Sequence, residues 1–95
     1  VGKPLGEFKT TGYTDDPRWS VTYSGTIPTV NRTIAADTSI LPIGTKVMVN
    51  GIVYTVEDIG SAVKGKIIDI YYSTYEEAER HGTQKAQVYL IEEVP

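Results

Sequence analysis

A tight-turn signal near the middle of the chain constrains the fold more than any other feature of this sequence. Asn50-Gly51 separates two short runs of strand-forming residues, 46–49 and 52–56. Asn and Gly tolerate the positive φ angles of a type I′ turn, whose twist matches that of two antiparallel strands. The pattern therefore predicts a β-hairpin in which residues 46–49 pair with residues 52–56.

Further strands are predicted on both sides of this hairpin. β-Branched and aromatic residues favour strands over residues 7–14, 33–37, 67–72 and 87–92. Asp15-Asp16-Pro17 ends the first of them, and a long loop over about 18–31 follows. Ser73 and Glu76 fit the capping box of a short helix that Gly82 ends. The chain is therefore predicted to be mainly β, with one or two short helices.

Size, charge and composition exclude several classes of protein. The 95 residues leave room for one small core, so we predict a single domain over 1–95 with its core at about 7–92. The net charge is -3 and the basic residues are scattered, so nucleic acid is not an expected partner. No apolar run approaches the roughly 20 residues of a membrane span. Cysteine and His-rich metal spacing are absent from the sequence, and no cofactor is expected.

Asp69 is the strongest candidate for a functional group, because it interrupts the apolar run 67–72. Strand alternation places its side chain on the face of Ile67 and Tyr71, opposite that of Ile68 and Ile70. Partial burial would raise the pKa of Asp69 and keep its proton closer to neutral pH, as a general acid requires. From spacing alone, a salt-bridged structural aspartate is an equally good interpretation.

Two further aspartates could meet Asp69 in space. Asp58 follows the predicted strand 52–56, and Gly60 and Gly65 allow the next loop to turn back. A carboxylate at Asp58 would then raise the pKa of Asp69 by like-charge repulsion. Taken singly, Asp58 is more typical of a turn cap, and Asp37 of the Asx turn that Asp-Thr-Ser favours.

The loops carry weaker candidates. Lys64 could bind substrate oxygens or neutralise a carboxylate, although a solvent-exposed lysine is the more common interpretation. Trp19 and Tyr23 could stack on sugar rings from the long loop, or belong to the core. His81 is expected in the last turn of the helix, where a cation favours the helix dipole, and no catalytic role is predicted for it.

Several segments together resemble the 3D domain, a family named for its three aspartates. They are TIAAD at 33–37, LPIGT at 41–45, VEDIGSAVKG at 56–65 and IDIY at 68–71. The stretch Thr22-Tyr23-Ser24-Gly25 also resembles the family's Thr-x-Ser-Gly motif. The resemblance runs from about Gly12 to Leu90, nearly the whole chain.

The resemblance implies a six-stranded double-psi β-barrel in a secreted or cell-wall bacterial protein, with possible flanking wall-binding modules. Its implied partner is the peptidoglycan glycan strand, and its implied activity is that of a lytic transglycosylase that forms a 1,6-anhydro end. Asp69 would be the single acid/base, while Asp58 and Asp37 complete the catalytic trio by shaping the site. The implied substrate-binding residues are Lys64, Gly60, Thr22, Tyr23, Ser24 and Tyr71.

One departure and two alternatives accompany this resemblance. Ser61 stands where the family usually has a second glycine, so it would strain the loop if that position needs positive φ, or narrow the groove. The first alternative is a non-catalytic, expansin-like module that binds cell-wall glycan without cutting it. The second is a structural or interaction domain whose three aspartates only hold the loops together.

Overall fold

Six strands and one helix form the fold in a computed structural model, which describes residues 2–16, 18 and 20–92. The elements are β1 (Gly2–Tyr13), β2 (Thr33–Ala36), β3 (Lys46–Val49), β4 (Ile52–Asp58), β5 (Ile67–Tyr71), α1 (Tyr75–His81) and β6 (Gln84–Ile91). The strands close into a barrel in the order β1-β5-β2-β4-β3-β6. The mainly β, six-stranded barrel predicted from the sequence is confirmed.

The barrel mixes parallel and antiparallel pairs. β1 lies parallel to β5 and β2 parallel to β4, while the other four neighbouring pairs are antiparallel. In the predicted hairpin, Val47 pairs with Tyr54 across a turn in which Asn50 has φ 52° and Gly51 has φ 81°. Both positive angles are those of a type I′ turn, so this local prediction is confirmed.

Alternate side chains of the strands fill the barrel. The buried cluster consists of Phe8, Ile34, Ala36, Leu41, Val47, Val49, Tyr54, Val56, Ile68, Ile70, Ala86 and Val88. Because strand side chains alternate, a residue next to one of these in a strand directs its side chain to the other face of the sheet. The outer face of β5 therefore carries Asp69.

Helix α1 packs against the end of β1. A Cβ atom at Gly12 would lie 2.8 Å from the carbonyl oxygen of Ala78, so only glycine allows this approach. His81 hydrogen bonds through Nε2 to Thr10 Oγ1 at 3.0 Å and through Nδ1 to Tyr72 Oη at 2.8 Å. His81 thus occupies the predicted last turn and fastens the helix to the barrel.

The structure corrects several predicted boundaries. β1 begins at Gly2, five residues before the predicted start, because a register shift between Pro4 and Gly6 lets this segment continue its pairing with β6. β6 begins at Gln84 rather than at residue 87, since pairing with β1 supplies a preference that Gln84 and Lys85 lack.

The helix cap and the end of β4 also differ from the prediction. Thr74, one residue after the predicted Ser73, caps the helix by accepting a hydrogen bond from the Glu77 amide at 3.1 Å. Gly82 ends the helix as predicted, with φ 61°. β4 continues to Asp58, so this residue is part of a strand and not of the following loop.

Candidate functional site

Asp69 and Asp58 lie in one row of outward-facing residues that crosses four neighbouring strands. In the strand registers, Thr11 of β1 pairs with Asp69 of β5, Asp69 pairs with Ala35 of β2, and Ala35 pairs with Asp58 of β4. Paired residues in a sheet share a face. The two carboxylates therefore flank Ala35 on the outside of the barrel, which agrees with the prediction that they come together.

The Asp69 carboxyl group is half-buried and held by one of its two oxygens. Thr11 Oγ1 donates a hydrogen bond to Oδ1 at 3.0 Å. Oδ2 has no hydrogen-bond partner among the described residues, and none of their buried side-chain oxygens is unsatisfied, so Oδ2 is open to solvent. Burial raises the pKa of Asp69 above its ordinary value, and the Asp58 charge raises it further, while the Thr11 hydroxyl and His81 oppose the rise.

Both oxygens of the Asp58 carboxylate accept hydrogen bonds. Its Oδ1 accepts from the amides of Tyr23 at 3.0 Å and Ile59 at 2.9 Å, and its Oδ2 accepts from the Tyr13 hydroxyl at 3.1 Å. Asp58 therefore anchors the loop that carries Tyr23. Its charge adds to the raised pKa of Asp69, as predicted, although burial is the larger cause.

Tyr13 is a site residue that the sequence analysis missed. It lies on β1 and Asp58 on β4, with β5 and β2 between them, so the side chain of Tyr13 reaches across both strands. Burial and the Asp58 charge raise the pKa of Tyr13, which keeps its hydroxyl a donor. The only available signal was its alternation with Thr11 on β1, which does not reveal a partner 45 residues away.

Asp37 is engaged with a different loop. Its Oδ1 accepts from the Ser39 amide at 3.0 Å and hydroxyl at 2.7 Å, which forms the Asx turn that the sequence predicts. Its Oδ2 accepts from the Gly65 amide at 2.8 Å. These hydrogen bonds, led by that from Gly65, lower the pKa of Asp37 to about 2. Asp37 thus holds the loop between β4 and β5 and has no hydrogen bond to Asp69 or Asp58.

The loop between β4 and β5 folds without backbone strain at Ser61. Gly60 accepts a hydrogen bond from the Val63 amide at 3.0 Å, and a Cβ at Gly60 would lie 2.9 Å from Val63 Cγ2. Among the described non-glycine residues, only Asn31 and Asn50 have positive φ, so the strain considered for Ser61 does not arise. Lys64 is exposed, and its charge acts on Asp37 rather than on Asp69.

The predicted sugar-binding loop is tied to the end of β4. Thr22 is buried, and its hydroxyl hydrogen bonds with those of Ser24 at 3.0 Å and Thr26 at 2.7 Å. The Ser24 amide donates to Glu57 O at 3.0 Å. The Tyr23 side chain is 68% exposed beside Asp58, whereas Thr22 serves the loop itself. Trp19 lies outside the described residues.

Tyr71 shares the face of Asp69, as predicted, but it is buried. Its hydroxyl donates to Asp15 O at 3.0 Å, and its ring meets that of Tyr13 edge-on at 5.7 Å between centroids. Both contacts make Tyr71 a support for Tyr13 and for the start of the long loop. Tyr13 and Tyr23 are both more exposed than Tyr71.

Within residues 2–16, 18 and 20–92, no group of three or more His, Cys, Asp and Glu side chains is arranged to hold a metal ion. In the same ranges, no helix has the length and apolar character needed to cross a membrane.

Comparisons with known proteins concern the family and the fold of this chain. The model of the 3D domain family matches residues 32–92. YabE of Bacillus subtilis (strain 168), whose name describes it as a cell wall shaping protein, is 34% identical over 61 residues. This match includes 63% of the present chain and only 15% of the length of YabE.

Solved structures with a similar barrel come from lytic transglycosylases. E. coli MltA, in a crystal structure with bound chitohexaose, has a TM-score of 0.69 at 23% identity, over 80% of this chain and 28% of that one. LtgG of Burkholderia pseudomallei has a TM-score of 0.60 at 25% identity, over 75% of this chain and 25% of that one. The chain thus spans about a quarter of the length of these enzymes, and the likeness to MltA establishes the fold.

Proposed function

Because this chain belongs to the 3D domain family, we propose that it is the catalytic domain of a peptidoglycan lytic transglycosylase with Asp69 as its single acid/base. The likeness to MltA and LtgG supports the reaction class, and the similarity to YabE supports the bacterial cell wall as the place of action. We propose that the full-length protein is secreted or wall-bound and carries further modules. One observation carries the assignment to Asp69: of the three family aspartates, it alone has a carboxylate oxygen without a hydrogen-bond partner among the described residues.

The proposed reaction begins with Asp69 as the acid. Its raised pKa keeps a proton on the carboxyl group at higher pH, and Thr11 fixes Oδ1 so that the open Oδ2 faces the substrate. Asp69 gives this proton to the oxygen that links N-acetylmuramic acid to N-acetylglucosamine. The β-1,4 bond then breaks, and positive charge develops at C1 of the muramic acid.

The same carboxylate then acts as the base. It takes the proton from the C6 hydroxyl of the muramic acid as that oxygen closes on C1, which gives the 1,6-anhydro product and restores the acid. The N-acetyl group of the substrate can stabilise the oxocarbenium-like state, so neither water nor a second nucleophilic carboxylate is required. One aspartate with one open oxygen is sufficient for both proton transfers.

The other two aspartates are proposed to position the site. Asp58 holds the Tyr23 loop and Tyr13, and its charge favours the protonated form of Asp69. Asp37 holds the loop that contains Gly60 and Lys64 through its bond to Gly65. We place Lys64, Tyr23, Ser24 and the Gly60 turn along the glycan-binding surface, with the buried Thr22 and Tyr71 supporting it.

Mass spectrometry of digested peptidoglycan tests this proposal. The wild-type domain should release muropeptides with 1,6-anhydro ends, and Asp69→Asn should release about 10²- to 10⁴-fold less, the range that general acid/base catalysis contributes. Asp15→Asn is a matched control, because Asp15 is exposed and its carboxylate makes none of the hydrogen bonds of the site.

Three outcomes would contradict the proposal in different ways. Unchanged turnover by folded Asp69→Asn would remove Asp69 as the acid/base. Products with reducing ends instead of anhydro ends would indicate hydrolysis by water. Glycan binding by the folded wild-type domain without any product would support the expansin-like binding module in place of the enzyme.

A further inference from the structure

One end of β1 has an open backbone edge. The last pair of the β1–β6 ladder is Thr10 with Gln84, and β1 continues to Tyr13 without a strand on that side. The Lys9 amide donates to Lys66 O, and Tyr13 O accepts from the Tyr72 amide, so the odd-numbered residues of this stretch direct their backbone groups towards β5. The even-numbered Gly12 therefore directs its N–H and C=O groups the other way.

These backbone groups of Gly12 are unpaired. Neither its N–H nor its C=O has a hydrogen-bond partner in the described part of the chain. The next β6-side residue that could pair with Gly12 is Gly82, whose amide donates instead to Ala78 O at 3.3 Å. Native proteins usually cover or pair such an edge, since it is a template for another extended chain.

A groove of about 540 Å³ runs along this edge, between β1 and α1. Its lining includes Gly12 of β1 together with Tyr75, Glu79 and Thr83. The Tyr75 ring is 69% exposed, and the Glu79 carboxylate is also exposed. Thr11 lines the groove as well, and its hydroxyl is the group that holds Asp69. Thr11 is therefore shared by the groove and the proposed catalytic site.

We propose that this groove binds the peptide stem of peptidoglycan as an extended strand added to the open edge of β1. The inference rests on the proposed function, because the stem is attached to the muramic acid that Asp69 would hold. A backbone donor and acceptor side by side match an extended peptide, which gains affinity by main-chain hydrogen bonds at a strand edge.

The side chains of the groove fit the chemistry of a stem. Glu79 is placed to pair with the side-chain amine of the diamino acid that stems contain, because a carboxylate and an ammonium group form a charge-assisted hydrogen bond. The exposed Tyr75 ring offers an apolar face for the aliphatic part of that residue. We therefore propose that the groove favours glycan strands that carry peptide stems over strands without them.

Amide NMR titration of folded Asp69→Asn tests the proposal, since this variant should leave its ligand intact. Three probes are compared: a glycan fragment with its stems, the same fragment after removal of the stems by an amidase, and the free stem tetrapeptide. The stem-bearing fragment should shift the Gly12 and Thr83 amides and bind about tenfold more tightly than the stripped one, which two backbone hydrogen bonds can supply. The free peptide should shift the same two amides more weakly.

Two further substitutions, each made in the Asp69→Asn protein, test which side chains bind the stem. Glu79→Gln and Tyr75→Ala should each reduce the preference for stem-bearing glycan, while the part that the Gly12 backbone supplies remains. Glu76→Gln is the matched control, because Glu76 is exposed on the same helix but does not line this groove. Its preference should remain that of the parent protein.

Equal affinity for the two glycan fragments would overturn the proposal, as would a lack of binding by either. A Gly12 shift with stripped glycan would instead make the groove a sugar subsite and also refute the peptide assignment. The two proposals can fail separately. Stem binding without anhydro products refutes the transglycosylase alone, whereas cleavage without discrimination between the fragments refutes the stem groove alone.

Discussion

The hydrogen bond between Tyr13 and Asp58 gives the sharpest test of the site's architecture, because it joins two strands that are not neighbours. Tyr13→Phe removes only the hydroxyl that donates to Asp58 at 3.1 Å. A hydrogen bond to a charged group contributes about 1.5–3 kcal/mol. Asp58 is partly exposed and keeps two amide donors, so we expect the lower end, about 1.5 kcal/mol.

This free energy corresponds to a measurable change in melting temperature. A loss of 1 kcal/mol lowers Tm by about 4–8 °C in a domain of this size, so Tyr13→Phe should lower Tm by roughly 6–12 °C. Urea unfolding of the wild type, Tyr13→Phe, Asp58→Ala and the double variant then gives the coupling energy between the two side chains. We expect a coupling of about 1–1.5 kcal/mol.

Tyr71→Phe provides the matched control cycle. Tyr71 lies beside Tyr13, but its hydroxyl donates to the backbone oxygen of Asp15. Its free-energy change should therefore add to that of Asp58→Ala within about 0.5 kcal/mol. Additivity of the Tyr13 and Asp58 changes within the same limit would refute the proposed reach of Tyr13 across β5 and β2.

Three further predictions concern the aspartates and the loop. Asp37→Asn should lower stability at pH 7, and because the folded pKa of about 2 lies below the ordinary 3.8, its deficit should shrink as the pH falls from about 4 through about 2; a deficit in thermal melts that is as large at pH 2 as at pH 7 would contradict this. Asp69→Asn should melt at or above the wild-type temperature at pH 7, since burial raises the pKa of Asp69 and its ionisation costs stability as the pH rises; a clear loss of Tm would contradict it. Ser61→Gly should change the unfolding free energy in urea by less than about 0.5 kcal/mol, because Ser61 is exposed and unstrained, and a larger gain would show hidden strain.

The parts of the fold that the sequence predicted depend on local signals. Asn50-Gly51 determines its own turn geometry, and Gly82 ends the helix with positive φ. The parts that it did not predict depend on distant pairing. Gln84 has little intrinsic preference for a strand, and it adopts strand structure because it pairs with β1. The choice of Thr74 over Ser73 as the cap is a difference of one residue between two chemically similar hydroxyls.

The candidate site likewise has features that local sequence signals predict and features that depend on distant partners. The polar interruption of β5 at Asp69 was visible in the sequence, because alternation alone places it opposite the core residues Ile68 and Ile70. The different hydrogen bonds of Asp37 and Asp58 were not visible, since their partners at Gly65 and Tyr13 are 28 and 45 residues away. The open edge at Gly12 depends on where β6 begins, which the sequence did not predict.

A carbon-detected NMR titration of the aspartate side-chain carboxyl groups tests most directly the claim that the three aspartates have different tasks. Asp69 should titrate above the ordinary aspartate value because it is partly buried, and Asp37 should titrate near pH 2 because of its hydrogen bonds. In Thr11→Val, the titration of Asp69 should move to still higher pH, because a hydrogen bond to the carboxylate is lost. An Asp69 that titrates at or below the ordinary value and does not respond to Thr11→Val would contradict the account.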